Sequence, residues 1–468
     1  MSFTLTFKSP QKALIQALAE GHKQKLCSAF HAEVEEAVLF FKDFVSKKMT
    51  DEEYDYLVSL DLFPIFLTLL RVDYARSCHF NIYWYLTNIV SKTGVHSQDL
   101  IDRGLLKIMK DHLLEPTDWT RAQVKMQIAW LISNLACDNA LCRDRILDAG
   151  LLYPLLRSFR RTASYTKGYE EIFAWMLNNV VRSELRADHA AFLPPLLDVL
   201  TAFLYAHTKK AQSDAVTGLG ALCKHGHMTK KRVKGALMDR LGVLAKNVKD
   251  IHVDELRAFL NGFNYLMDFD DRLRNTLATD DLCETVRVCM TGSDSPDMWR
   301  EINDYIENMI YAPVSPHQLV KRGVLFETMA ARFPKLSPKT KRDIMNLCTY
   351  HLLTAFKGPP DAPILKTLML YGLFVPCLQG PFETDDQIER ARCETLAAVL
   401  EYQKSHSYDT PKFKIKHVKS YLKDFGPVQM RLYPYKDIFG LQIPYLTKYS
   451  VEKTIREAEE AKEGKQEL

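Results

Sequence analysis

The sequence predicts an all-α protein, a right-handed superhelical solenoid of about eight to ten helical repeats. Three observations support this fold class. Two short phrases recur along the chain at nearly the same interval. Gly and Pro are few, at 19 and 20 residues, and the prolines fall mostly between apolar stretches. The chain of 468 residues is also too long for one ordinary core.

The first phrase joins the end of one predicted helix to the start of the next through a glycine. It reads LIDRGLL at 100–106, ILDAGLL at 146–152, LVKRGVL at 319–325 and LMLYGLF at 368–374. Gly104 and Gly150 are 46 residues apart, and Gly323 and Gly372 are 49 apart. The phrase therefore marks a turn that returns once in each repeat.

The second phrase pairs a tryptophan with an asparagine four residues later, in NIYWYLTNIVS, MQIAWLISNLACD and EIFAWMLNNVV. The pairs are Trp84 with Asn88, Trp130 with Asn134, and Trp175 with Asn179. The tryptophans are 46 and 45 residues apart, which matches the interval of the glycine phrase. Periods of about 40–47 residues with two or three helices are typical of HEAT and armadillo arrays.

The pattern continues more weakly downstream and suggests three parts. The Trp and Asn positions fall near Val216 and Gly220, Leu260 and Asn264, Asp304 and Asn308, then around 345–349 and 394–398. We expect a short N-terminal segment over 1–27, a repeat array over 28–405, and a capping repeat with a charged helical tail over 406–468.

The three pairs predict a binding surface. Residues four apart share one helix face, so stacked repeats would align three indoles and three amides in rows. Each amide can bond the backbone of an extended peptide, and neighbouring indoles can hold the stem and charge of Lys or Arg. The competing interpretation is that each Trp is core and each Asn bonds a nearby turn. Three repeated pairs favour binding, because Asn has poor helix propensity and packing alone does not require its repetition.

The stretch from about 55 to 185 resembles the armadillo repeats of importin α, the nuclear-import adaptor, in the phrases YWYLTNIVS, AWLISNLACD and RDRILDAGLLYPLLRSF. The resemblance implies that these Trp and Asn residues bind nuclear localisation signals. It also implies that Asp138 pairs with the most critical lysine of the signal, and that Gln127 makes a polar peptide contact. The implied partners are cargo proteins with basic signals, and the implied location is cytoplasm and nucleus.

The sequence departs from that family in two places. Leu260, Asp304 and Met345 occupy the tryptophan positions of a second groove, so Asn264, Asp304 and Asn308 predict at most a weak minor site. Residues 1–27 contain four lysines and no arginine, so the importin-β-binding segment is expected to be missing or reduced. An importin-β-type karyopherin would then be engaged by an unidentified route, if at all.

Other classes of function receive no support from the sequence. No P-loop, HExxH or GxSxG motif is present, so we predict no enzyme and no cofactor. The net charge of +4 lacks the basic excess of a nucleic-acid binder, and no apolar run would span a membrane. Cys223, His225 and His227 are too close together for a paired metal motif, and no metal is expected.

The leading hypothesis is therefore an import adaptor that holds a Lys/Arg-rich peptide between Trp84 and Asn179. The alternative is an armadillo scaffold that binds a different protein partner. Salt dependence separates the two, because a groove for cations weakens as ionic strength rises.

Overall fold

The computed structural model describes residues 10–47, 49–92, 94–249, 251–311, 325, 328–329, 331–341 and 343–344. Within these ranges every regular element is a helix. The chain divides into two compact units, Met1–Val233 and Lys234–Leu468. The all-α repeat fold predicted from the sequence is confirmed.

The helices of the first unit are α1 (Pro10–Lys25), α2 (His31–Val45), α3 (Asp51–Ser59), α4 (Phe63–Leu69), α5 (His79–Lys92), α6 (Val95–Asp102), α7 (Leu105–Leu114), α8 (Trp119–Asp138), α9 (Ala140–Asp148), α10 (Leu152–Tyr165), α11 (Tyr169–Val181), α12 (Leu193–Phe203) and α13 (Lys209–Lys224). From α3 to α11 the first unit is built from groups of three helices, of which the first or second is the shortest. Short 3-10 helices, Asp73–Cys78 and Ala187–Phe192, precede α5 and α12.

The third helices form the layer that carries the predicted site. Helices α2, α5, α8, α11 and α13 pack one against the next in that order. Helix α8 lies between α5 and α11 and also contacts α7, α9 and α10. Most of its residues from Arg121 to Ala136 are therefore buried.

Turn chemistry fixes where these helices begin. Gly104 and Gly150 have φ of 89° and 70°, and they separate α6 from α7 and α9 from α10. Only glycine adopts this region without strain, which explains the recurring glycine phrase. Asp118 caps α8 by accepting a hydrogen bond of 2.8 Å from the Arg121 backbone N–H. Asn139 ends α8 in extended conformation and caps α9 in the same way.

Helix α1 lies within the N-terminal segment 1–27 and packs against the helices that follow it. Helix α1 packs on α2, and the rings of His22 and Phe40 stack with centroids 4.1 Å apart. Tyr56 also donates from its hydroxyl to the Gln16 carbonyl at 3.1 Å. Residues 10–25 therefore form a helix that packs on α2. Its apolar pattern is weak because much of its surface, including GHKQK, is polar, which hid it in the sequence.

The second unit contains α14 (Ala236–Lys246), α15 (Val253–Phe269), α16 (Asp271–Leu277), α17 (Asp280–Gly292), α18 (Pro296–Tyr311) and a 3-10 helix, Phe333–Lys335. Helix α15 packs against α16 and α18, and α14 contacts α16 and α17. Gly323, Gly372, the weak repeats around 345–349 and 394–398, and the segment 406–468 lie outside the described residues. Across the described ranges, no helix is long and apolar enough to cross a bilayer.

Candidate peptide-binding surface

The three predicted tryptophans lie on consecutive third helices, α5, α8 and α11, and all three are partly exposed. By contrast, Trp299 on α18 is a core residue with 1% of its surface exposed. We call the six residues of the Trp/Asn pairs the rung surface: Trp84, Asn88, Trp130, Asn134, Trp175 and Asn179. The indoles of this surface are therefore accessible along one layer of helices.

The first indole, Trp84, has several neighbours. Its ring centroid lies 6.0 Å from that of Trp130, with the planes at 63°, and 6.0 Å from that of Phe80. Its Nε1–H donates to the Ser46 hydroxyl at 2.9 Å. The ammonium Nζ of Lys42 lies 5.8 Å from the Trp84 ring centroid. Lys42 and Ser46 are site residues that were not predicted from the sequence. Lys42 is 46 residues before Asn88 and so occupies the asparagine position of the preceding repeat, a spacing that could have indicated it.

The asparagine side chains bond within the fold. Asn134 Nδ2 donates to the Thr87 carbonyl on α5 at 3.1 Å. Asn179 Nδ2 donates to the Ser133 hydroxyl at 2.8 Å and to its carbonyl at 3.3 Å. Asn88 Nδ2 donates to the Trp84 carbonyl of its own helix at 2.9 Å. Two of the three amides thus link adjacent third helices, while Asn88 and Asn134 remain partly exposed and Asn179 is 4% exposed.

Asp138 is exposed at the end of α8 and lies against the backbone of Gly94, which precedes α6. A Cβ atom added to Gly94 would be 1.3 Å from the Asp138 carboxylate oxygen Oδ1. Asn139 Nδ2 donates to the other carboxylate oxygen of Asp138 at 3.3 Å. The carboxylate therefore occupies space that only a glycine leaves free. Gly94 is thus a residue of the site that was not predicted from the sequence.

Gln127 lies elsewhere than the resemblance implies. Its side chain is fully buried, and both of its polar atoms lack a hydrogen-bond partner among the described residues. Three residues correspond to about 300° of helix rotation, so Gln127 projects about 60° away from Trp130. On a helix packed on several sides, that displacement puts the amide in the interior.

The predicted minor-site residues lie on α15 and α18 of the second unit. Asn264 and Asn308 are 2% and 3% exposed. Asn264 Nδ2 donates to the Glu301 carbonyl at 3.0 Å, and Asn308 Nδ2 donates to the Asp304 carbonyl at 3.2 Å. Asp304 is exposed. Loss of hydration, followed by repulsion from Glu301, Glu307 and Asp268, raises the pKa of Asp304 to about 6.

Two clusters contain side-chain types that bind metals. His227 Nε2 accepts from the Leu185 N–H at 3.2 Å, and His225 Nε2 is 3.1 Å from the Arg182 carbonyl, so backbone groups already engage both rings. Asp148, Asp188 and His189 bring ligand atoms within 4.8 Å of one another. Arg186 pairs with both of those carboxylates, so this second cluster is an ion-pair network on a surface turn.

Comparisons with known proteins show where similar chains occur. No protein-family model matches the chain. It is similar to importin subunit alpha-1b of Oryza sativa subsp. japonica, with 26% identity over 166 residues. It is also similar to importin subunit alpha-2 of Arabidopsis thaliana, with 28% identity over 167 residues. Each alignment covers 36% of this chain and 30% of the relative, so the chain spans about a third of the length of the curated relatives it matches.

Among solved structures, a crystal structure of an engineered protein superposes with a TM-score of 0.63 at 15% identity. The superposition covers 94% of this chain and 98% of the engineered one. At this identity the likeness concerns the fold alone. The chain therefore has an all-α helical repeat fold, and over 36% of its length it is similar to importin α subunits.

Proposed function

We propose that the rung surface and Asp138 bind an extended peptide rich in lysine and arginine, and that the peptide is a nuclear localisation signal of a cargo protein. The observation that carries the proposal is the row of three partly exposed tryptophans on consecutive third helices, with the exposed carboxylate of Asp138 at the end of the middle one. Indole faces attract cations and pack against aliphatic stems, and the carboxylate supplies an ion pair.

Each residue type has a defined part in this proposal. The indoles hold the long cationic side chains of the peptide. Asn88 and Asn134 are partly exposed and donate one hydrogen bond each within the fold, which leaves a second N–H and the amide oxygen for the peptide backbone. Asp138 receives a lysine ammonium. Asn179 and Gln127 contribute only if their buried amides turn outward.

The partners and location follow from the same proposal. Similarity to importin α subunits supports an adaptor that carries basic cargo between cytoplasm and nucleus, with an importin-β-type karyopherin engaged by an unidentified route. Asn264, Asp304 and Asn308 are proposed as a weaker second site. Because Asn264 and Asn308 are buried in the described structure, Asp304 would supply most of the attraction there.

Titration of a fluorescent Lys/Arg-rich peptide into the full chain tests the proposal. Replacing Trp130 or Trp175 by Ala should weaken binding by about 1–2 kcal/mol each, through lost cation–π attraction and stem packing. Asp138→Lys should abolish binding at the rung surface by charge repulsion, so that only the weaker second site remains. Matched controls are Trp119→Ala, because Trp119 is 63% exposed and lies outside the rung surface, and Asp111→Lys on α7.

The alternative, a scaffold for a different protein partner, gains one supporting observation. The amides of Asn134 and Asn179 serve the packing of third helices, as they would without any peptide. A scaffold would not bind basic peptides, and a change in salt concentration would not alter this result. Equal affinity of the wild type, Asp138→Lys and the two controls for the peptide would reject the proposed function.

A further inference from the structure

Lys42 places a cation of the chain itself on the rung surface. It lies in the last turn of α2, and its Nζ is 5.8 Å from the Trp84 ring centroid and 2.9 Å from the Asp43 carboxylate. The Ser46 hydroxyl, one turn further on, receives the indole N–H of Trp84. The end of α2 therefore engages both the ring and the N–H of the first indole.

The three indoles are not equally available. Trp84 already contacts Lys42 and the ring of Trp130. Within the described ranges, no cation lies over Trp130 or Trp175, and their rings make no ring contact with each other. Asp138 also follows Trp130 on the same helix. The open part of the surface is thus the stretch from Trp130 to Trp175.

We propose that Lys42 is an internal competitor that fills the cation site of Trp84 and so sets the register of the bound peptide. The ligand is the Lys/Arg-rich peptide of the proposed function, on which this inference rests. Its cationic side chains bind at Trp130, Trp175 and Asp138, and a further cation towards α2 meets the like charge of Lys42. The rung surface therefore binds fewer cationic side chains of the peptide than its three tryptophans would allow.

The consequence is a difference in peptide affinity between substitutions of tryptophans that all precede an asparagine by four residues. In the wild type, Trp84→Ala removes an indole that serves Lys42, so it should weaken peptide binding less than Trp130→Ala does. Once the Lys42 charge is removed, Trp84 becomes available, and Trp84→Ala should then cost affinity. This dependence of one substitution on the other is measured by a double-mutant cycle.

The experiment compares two fluorescent peptides, one with four Lys/Arg residues and one extended at both ends by two lysines. Lys42→Met removes the charge and keeps the chain length of the side chain. Lys42→Met/Asp43→Asn removes both charges and preserves the net charge of the wild type. Lys42→Arg keeps the cation, and Lys107→Met removes an exposed lysine of α7 that pairs with Asp111. Helical circular dichroism and thermal melting verify the fold of each variant.

The extended peptide should bind Lys42→Met and the double variant about 3- to 10-fold more tightly than wild type. Lys42→Arg and Lys107→Met should match the wild type, and the short peptide should change little. If the wild type binds and the charge-removing variants bind no tighter, the inference is wrong and the proposed function stands. If no variant binds either peptide, both fail.

Discussion

Each asparagine amide of the rung surface has two N–H donors, and the fold already uses at least one of them. Asn134 and Asn179 bond the carbonyls of Thr87 and Ser133, which are 47 and 46 residues earlier in the chain. An amide N–H without a partner between packed helices would cost stability, so these bonds between repeats give the asparagines a reason to recur even without a ligand. The same residue type can therefore join neighbouring repeats and offer its second donor to a peptide.

The close contact between Gly94 and the Asp138 carboxylate predicts the effect of a substitution at Gly94. Its φ of −67° suits alanine, but a Cβ there would overlap the Asp138 carboxylate. Asp138 is exposed, so its side chain can rotate away at little cost in stability. Gly94→Ala should therefore leave thermal stability nearly unchanged and weaken binding of a basic peptide about 3- to 10-fold, measured by fluorescence anisotropy.

Two comparisons make the Gly94 prediction specific. Gly21→Ala is the matched control, because no atom lies within 4 Å of the Cβ it would add. In an Asp138→Asn background, Gly94→Ala should have no further effect on affinity. An equal loss in both backgrounds would mean that Gly94 acts through the backbone and not through the position of the carboxylate.

At the scale of elements, helices α5, α7 and α8 meet in a buried cluster of basic side chains. The rings of His79 and His112 stack with centroids 4.6 Å apart. His112 Nδ1 is 2.9 Å from the Tyr83 hydroxyl, and Arg121 Nη1 is 3.4 Å from His79 Nδ1. Burial, then the proximity of His112 and Arg121, lowers the pKa of His79 to about 3. The cluster therefore requires neutral imidazoles.

Acid should weaken this junction. A histidine whose pKa is depressed on folding binds its proton preferentially in the unfolded chain. The contribution of neutral His79 to the free energy of unfolding is fully present above the unfolded pKa of about 6.5, and it decreases as pH falls towards about 3. We expect the opening free energy of amides in α5 and α7, measured by hydrogen exchange, to fall by about 3 kcal/mol between about pH 7 and about pH 4.

His79→Gln supplies the comparison for this acid effect. Its folded state lacks the imidazole that resists protonation, so the loss of protection on acidification should be smaller than in the wild type. Burial also lowers the pKa of His112, which leaves a residual effect of the same sign. Identical pH profiles for the two proteins would show that the junction does not depend on the charge of His79.

For the whole molecule, the features that recur in each repeat were predictable from the sequence, whereas contacts specific to one repeat were not. The interval between Trp84 and Trp130 indicated the repeat, and Gly104 and Gly150 indicated turns that the structure confirms. Sequence spacing could not show that Gln127 is interior, because its burial depends on how many helices surround α8. Nor could it show that Lys42 reaches Trp84, since that contact joins separate repeats.

The two units offer cations different chemistry, and this predicts different responses to pH. The first unit presents indoles, which do not titrate, together with Asp138. The second presents Asp304 beside Asp268 and Glu307, whose pKa values burial raises, and beside Glu301. A cation binds the ionised carboxylate, so its affinity for the second unit should fall as pH drops through the Asp304 pKa of about 6.

This prediction is tested on the full chain with Asp138→Lys, which removes the first site under the proposed function. We expect the residual affinity for a Lys/Arg-rich peptide to fall several-fold between about pH 7.5 and about pH 5, because most of the Asp304 carboxyl is then protonated. Adding Asp304→Asn should remove most of this pH dependence. Asp297→Asn, at the exposed first turn of the same helix, is the control and should preserve it. Residual binding that is equally strong at both pH values would place the second cation site away from Asp304.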